Sequence, residues 1–264
     1  MLIDFHTHAF PSKIAQKALK HLSFVAGGLT PYTDGTPEGL LSAMNKEGVD
    51  KSVVLNIATN AHQMHSVNDF AASINGDRLI AFGSVHPDAP DALEELERIK
   101  EMGLKGVKFH PDYQGFFAGD PKMYPLYKKI SDLGLITVFH AGFDFGFPPP
   151  YKCMPDNAIK ALEQFSTPVV FAHWGGLSCG EEVIKTLCGT PAYFDVSYGC
   201  GVMARTTALE ILDKHGPDKL LFGTDSPWHT PSMELSMQST LGLSDEDKEK
   251  INYKNAAKLL DLGL

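Results

Sequence analysis

The chain has 264 residues, 43% of them hydrophobic, which is enough apolar material for one α/β barrel or for one to two smaller domains. A formal net charge of -9 disfavours a nucleic-acid backbone or an anionic membrane surface as partner, although a metal and a few local cations can still draw a small anionic substrate into one pocket. Cys153, Cys179, Cys188 and Cys200 show no Cys-x-x-Cys spacing and are expected as free thiols; with no basic leader and no apolar run of about 18 residues, a cytoplasmic location off the membrane is expected.

Taken in chain order, eight apolar runs predict strands at 2–6, 52–57, 79–85, 106–110, 136–140, 169–173, 192–196 and 220–224. Each successive pair leaves room for a crossover helix. The stretch 91–100 carries apolar residues at 92, 93, 96 and 99, the helical period. Gly103, Gly134 and Gly216 fall where left-handed C-caps favour glycine, and Ser244 is placed to cap a helix opening on Asp245-Glu246-Asp247. Two Gly-, Pro- and aromatic-rich insertions, 24–38 and 142–155, are expected as lids. No G-x-G-x-x-G follows a strand, which argues against an open doubly wound sheet. Eight strand-helix units predict a closed (β/α)8 TIM barrel, one α/β domain over residues 1–264.

The polar residues that end these runs carry the chemistry. His6 and His8 share one strand face and can close on one metal ion. His110, His140, His173 and Asp225 end four later runs, and imidazoles with a carboxylate are the donor set of a catalytic zinc-like ion. A single strand-end histidine is more often a solvated side chain than a ligand; the ordered series reverses those odds. Lys108 alternates onto the face of His110, so both can point into the barrel mouth and meet substrate, while an extension to water is the bland alternative for Lys108. Trp228 and His229, past Asp225, and Tyr198 and Arg205, past the seventh strand, lie where loops reach a substrate. His86 reads as a loop histidine capping the next helix, His21, His62, His65 and His215 lack strand-end placement, and Cys200 reads as a buried structural thiol.

In their order, Asp4-Phe5-His6-Thr7-His8, Gly106-Val107-Lys108-Phe109-His110-Pro111, Phe139-His140-Ala141-Gly142, Ala172-His173-Trp174-Gly175-Gly176 and Phe222-Gly223-Thr224-Asp225-Ser226-Pro227 make the chain resemble the amidohydrolase superfamily. The nearer resemblance is to its amidohydrolase-2 branch, which contains aminocarboxymuconate semialdehyde decarboxylase-like enzymes and metal-dependent hydrolases. This resemblance implies that His6, His8, His140 and Asp225 ligate a divalent metal, with zinc suiting the donors best and manganese, iron or cobalt also able to occupy them. It implies that Asp225 moves the proton of an activated water and that His173 orients that water or polarises the substrate. One ion is favoured; in a two-ion form His140 and His173 hold the second, with Lys108 bridging as a carbamate.

The leading expectation is a metal-dependent hydrolase of an ester, lactone or amide in a small carboxylated molecule. A non-oxidative decarboxylase on the same site is the alternative; retention of His6 and the chain length lean toward hydrolysis. A non-catalytic ligand-binding barrel is a further alternative, opposed by the complete donor set. The family implication extends to self-association, compatible with a homo-oligomer, and no macromolecular partner is expected.

Overall fold

The computed structural model describes residues 1–263; Leu264, the end of the expected domain, lies outside the described residues. Eight parallel strands form at β1 (Ile3–Thr7), β2 (Lys51–Leu55), β3 (Leu79–Phe82), β4 (Gly106–Phe109), β5 (Ile136–Phe139), β6 (Val169–Phe171), β7 (Tyr193–Asp195) and β8 (Leu220–Leu221). Regular pairing gives β1-β2-β3 and β4 through β8, and backbone bonds close both seams. At the first, Gly83 N donates to Gly106 O (2.9 Å) and Lys108 N to Gly83 O (2.8 Å); at the second, Phe5 N donates to Phe222 O (2.8 Å) and His8 N to Ser226 O (2.7 Å). Gly106 is required at its seam, since a Cβ there would lie 2.4 Å from Phe82 Cε2 and 2.6 Å from Ile136 O. The (β/α)8 barrel expected from the strand count is therefore present.

Strands apolar on both faces suit a barrel wrapped in helices. Ile3, Phe5, Val53, Leu55, Phe82, Val138, Val170 and Leu221 fill the interior, while Val54, Val107, Phe109, Phe139, Phe171 and Phe194 pack outward. Each such fully buried side chain contributes about 1.5–3 kcal/mol. The outward Phe109, Phe139 and Phe171 are in register across β4, β5 and β6, with ring centroids 5.4 and 5.8 Å apart. That register controls the mouth: the next residues, His110 and His140, emerge side by side on the opposite face.

Several boundaries differ from expectation because the polar residues stand beyond the paired strands. β8 has two paired residues where five were expected, and Phe222 N instead donates to Ile251 O (2.8 Å), a carbonyl within the π-helical turn Lys250–Lys254. β1 slips register by one residue between Asp4 and Thr7, a bulge beside the site that re-aims its side chains. The helix Ala92–Glu101 forms as its period predicts, but Asp91 makes no side-chain cap because its carboxylate takes His65 Nε2 (2.8 Å). Gly103, Gly134 and Gly216 all have positive φ (75°, 67° and 85°), but Gly216, with ψ 151°, ends its helix outside the left-handed helical region. Ser244 Oγ caps Asp247 N as expected (3.1 Å). The 24–38 insertion includes the ends of helices Ala15–Val25 and Pro37–Glu47, and Tyr32 N donates to Pro227 O (2.7 Å) beside Asp225. No helix among the described residues is long and apolar enough to cross a membrane.

Candidate metal centre and active site

Three donors converge at the C-terminal mouth of the barrel. His6 Nε2 lies 3.2 Å from His8 Nε2 and 3.3 Å from Asp225 Oδ1, and His8 Nε2 lies 3.1 Å from the same oxygen. Hydrogen-bond partners assign the tautomers: His6 Nδ1–H donates to Asp195 Oδ2 (2.9 Å) and His8 Nδ1–H to Leu55 O (2.8 Å), leaving both Nε2 lone pairs facing the carboxylate. Burial, then the neighbouring Lys108 and His8, hold the His6 imidazole well below its ordinary range, so it is neutral as a ligand must be. Two imine nitrogens and a carboxylate oxygen with no hydrogen among them repel one another unless a cation lies between. For metal–donor bonds of about 2.0–2.2 Å, the edges of a tetrahedron are about 3.3–3.6 Å. The triangle's edges of 3.1–3.3 Å meet that range at its short end, so its three donors could hold one divalent ion with little adjustment.

The imidazoles continue as an arc around the mouth, with ring centroids 5.1 Å apart from His8 to His6, 5.0 Å to His173, 4.9 Å to His140 and 4.1 Å to His110. His173 is one residue out of phase with His140, and its left-handed backbone (φ 59°) returns the ring to the interior. Its Nδ1–H donates to Ser197 Oγ (2.9 Å), so Nε2 is an acceptor, 3.1 Å from His140 Nδ1. His140 Nε2–H in turn donates to Phe143 O (3.0 Å), which leaves Nδ1 as a second acceptor. Burial and neighbouring imidazoles lower both rings well below their ordinary range, so both are neutral and their facing lone pairs are open to accept a hydrogen bond or a cation. His110 stacks flat on His140 and pairs through Nε2 with Asp144 Oδ2 (3.1 Å), while its Nδ1 accepts Tyr113 N (3.4 Å). Burial would raise the Asp144 carboxyl, but the His110 bond and the field of His140 bring it to about 2.

Lys108 is fully buried, with Nζ 3.5 Å from His6 Nε2. Burial brings its ammonium down to about 8, against the pull of Asp195 and Asp225. Backbone strain gathers here as well: His173, Trp174, Ser178, Tyr198 and Asp225 all have φ between 55° and 64° without being glycine.

The amidohydrolase family model matches residues 3–262. The chain belongs to the amidohydrolase-2 family. Among solved structures, an uncharacterised TIM-barrel protein from Bordetella bronchiseptica is similar over 98% of both chains, with 19% identity and a TM-score of 0.78. The 2,6-dihydroxybenzoate decarboxylase from Rhizobium is similar over 100% of this chain and 99% of its own, with 16% identity and a TM-score of 0.73. The 5-carboxyvanillate decarboxylase from Sphingomonas paucimobilis is similar over 98% of both, with 16% identity and a TM-score of 0.70. These likenesses are of fold. No curated protein matches by sequence.

Within this amidohydrolase-2 chain the expected residues fall as follows. His6, His8 and Asp225 form one group of donors; His140, expected as their fourth ligand, stands further along the arc, beside His110 and Asp144, and turns its other nitrogen to His173. Trp228 is half-buried in the turn behind the carboxylate, its N–H bonded to Asp225 O (2.9 Å). Arg205 bonds Thr240 O (2.8 Å) at a helix start. His86 Nδ1 accepts Asp88 N (3.3 Å), and His215, stacked 3.9 Å from Phe194 and bonded to Ala192 O, is a satisfied core histidine. The residues not anticipated are Asp195 and Ser197. Asp195 Oδ1 accepts His173 N, Ser197 N (both 3.1 Å) and Ser197 Oγ (2.5 Å) while Oδ2 holds His6. A signal was available, since Asp195 is the one acidic residue within the seventh predicted strand, 192–196, and it proves to be the last residue of β7. Asp4 is a further one: its carboxyl accepts Thr224 Oγ1 (2.7 Å) and Thr224 N (3.0 Å), tying β1 to β8 beneath the triangle.

Proposed function

We propose that this protein is a metal-dependent hydrolase that cleaves an ester, lactone or amide bond in a small carboxylated molecule. The observation that carries the reading is the hydrogen-free triangle of His6 Nε2, His8 Nε2 and Asp225 Oδ1, with edges of 3.1–3.3 Å. A divalent ion held there, zinc by donor chemistry, would lower the pKa of water to near 7 and polarise a carbonyl.

The remaining steps belong to side chains. Asp225 points one oxygen at the triangle, and its Oδ2 makes no hydrogen bond among the described residues, so it is free to take the proton of the attacking water and return it to the leaving group. Asp195 fixes the His6 tautomer, and through Ser197 it also fixes that of His173. His173 Nε2, left as an acceptor by the Ser197 bond, can take a hydrogen bond from the attacking water and orient it, with His140 Nδ1 beside it as a second acceptor. Lys108 supplies the positive charge for a substrate carboxylate, and the same charge beside His6 weighs against a second ion. His110 becomes available to substrate when Asp144 leaves its Nε2.

The test is to load the purified protein with zinc, manganese or cobalt and to assay esters, lactones and amides of small carboxylic acids, measuring hydrolytic product and released CO2 in parallel. Hydrolysis without CO2 is expected, and Asp225→Asn should stay folded with turnover reduced about 100-fold or more. CO2 release without hydrolysis, or normal turnover by Asp225→Asn, overturns the reading.

A further inference from the structure

A cavity of about 180 Å³ opens off the site between His173 and the start of helix Arg205–His215. Leu177, Trp174, Val202 and Met203 make its lining largely apolar. The polar remainder includes Ser178, Thr207 and Glu181, and no Lys or Arg lines it among the described residues. The positive charge suited to a carboxylate is elsewhere, on Lys108. Its size is decisive: an apolar cavity of about 150 Å³ in another protein stays dry and binds benzene.

One wall is built in advance. Tyr198, at φ 55°, is a bulky residue in a backbone region it rarely adopts. Its ring stacks on His229 (4.1 Å, 20°), whose Nδ1 holds Glu234 at 2.5 Å. Glu234 is buried and also accepts Gly199 N (3.1 Å) and Cys200 N (3.2 Å), fixing the chain that runs to Val202 and Met203. Tyr198 and His173 line the cavity together, ring centroids 6.3 Å apart, so the space adjoins the histidine that faces the barrel mouth. Val202, 39% exposed, stands at its rim.

We infer that this cavity is the subsite for an uncharged, ring-sized apolar part of the substrate, opposite the end that Lys108 holds. The inference rests on the hydrolase reading for the word substrate and on geometry alone for the occupant. Apolar lining rewards burial of such a group, about fourfold in affinity per methylene, whereas a carboxylate would meet Glu181 and no cation.

Fluorobenzene and 4-fluorobenzoate, titrated separately and followed by 19F NMR, test the occupant without turnover. Saturable binding of fluorobenzene is expected, and in Lys108→Met, which removes the cation that could hold a carboxylate outside the cavity, it should be at least tenfold tighter than that of 4-fluorobenzoate. Met203→Trp, which fills the space, should weaken it about tenfold or more, and Val202→Trp at the exposed rim provides a second filling variant that leaves the core untouched. Fluorobenzene should compete with a turned-over ester bearing an apolar acyl chain. No saturable binding, equal binding of the benzoate by Lys108→Met, insensitivity to both filling variants or absence of competition overturns the inference. Binding without any hydrolysis sinks the hydrolase reading and leaves the cavity's occupant standing; hydrolysis without binding does the reverse.

Discussion

Asp195→Asn changes one oxygen for an NH2 group at the residue that orients His6. Three donors, His173 N, Ser197 N and Ser197 Oγ, converge on Oδ1, so the amide oxygen must take that place. The NH2 then faces His6 Nδ1 across 2.9 Å, where a carboxylate oxygen had accepted its hydrogen. Two donors cannot share that position, and His6 moves its proton to Nε2, into the triangle with His8 and Asp225. One of three lone pairs is lost to the ion without any change of ligand residue. Losing the hydrogen bond that orients a ligating histidine weakens metal binding about 10–100-fold, or about 1.4–2.7 kcal/mol. Chelator competition with zinc would read that shift, with circular dichroism verifying that the variant is folded. A folded Asp195→Asn protein with wild-type zinc affinity refutes the tautomer argument.

Two further predictions concern stability. At Gly142 (φ 84°) a Cβ would lie 2.2 Å from Leu177 N and 2.5 Å from Leu177 O, so Gly142→Ala should cost about 2–5 kcal/mol from the left-handed backbone and the forced displacement together. Gly48→Ala, with positive φ but open space, should cost only about 1–2 kcal/mol; equal urea midpoints for the two variants would contradict the packing argument. His65 donates through both nitrogens, to Asp91 Oδ2 (2.8 Å) and Glu95 Oε2 (2.7 Å), and the Asp91 bond followed by the Glu95 charge raises its pKa above 6.5. A raised pKa means the stabilisation is complete below pH 6.5 and disappears as pH rises through the folded-state value. The advantage of wild type over His65→Gln in urea unfolding should therefore be below about 1 kcal/mol at this half-exposed site and shrink on the alkaline side; growth with pH would contradict it.

The barrel was legible because each strand is a short apolar run ended by a polar residue, and helix punctuation fills the gaps. His6, His8 and Asp225 were singled out for the same reason, as strand-end residues on a shared face or beside the closing seam, and the fold brings their side chains together. What local pattern does not carry is phase beyond the strand. His173 needs a left-handed backbone to turn inward, and Asp225 stands four residues after the last paired residue of β8, at φ 64°. Asp195 was visible as an acid inside the seventh apolar run, but its hydrogen bond to His6 spans 189 residues and follows only from closure of the barrel. Asp144 lies in a loop with no period at all, and only the fold places it on His110.

The most direct test of the metal centre is a zinc-edge anomalous diffraction map from crystals of the zinc-loaded protein. The account predicts one strong peak within about 2.0–2.2 Å of His6 Nε2, His8 Nε2 and an Asp225 oxygen. A zinc-replete crystal with no peak there, or with its peak at His110, His140 and Asp144 instead, would contradict it.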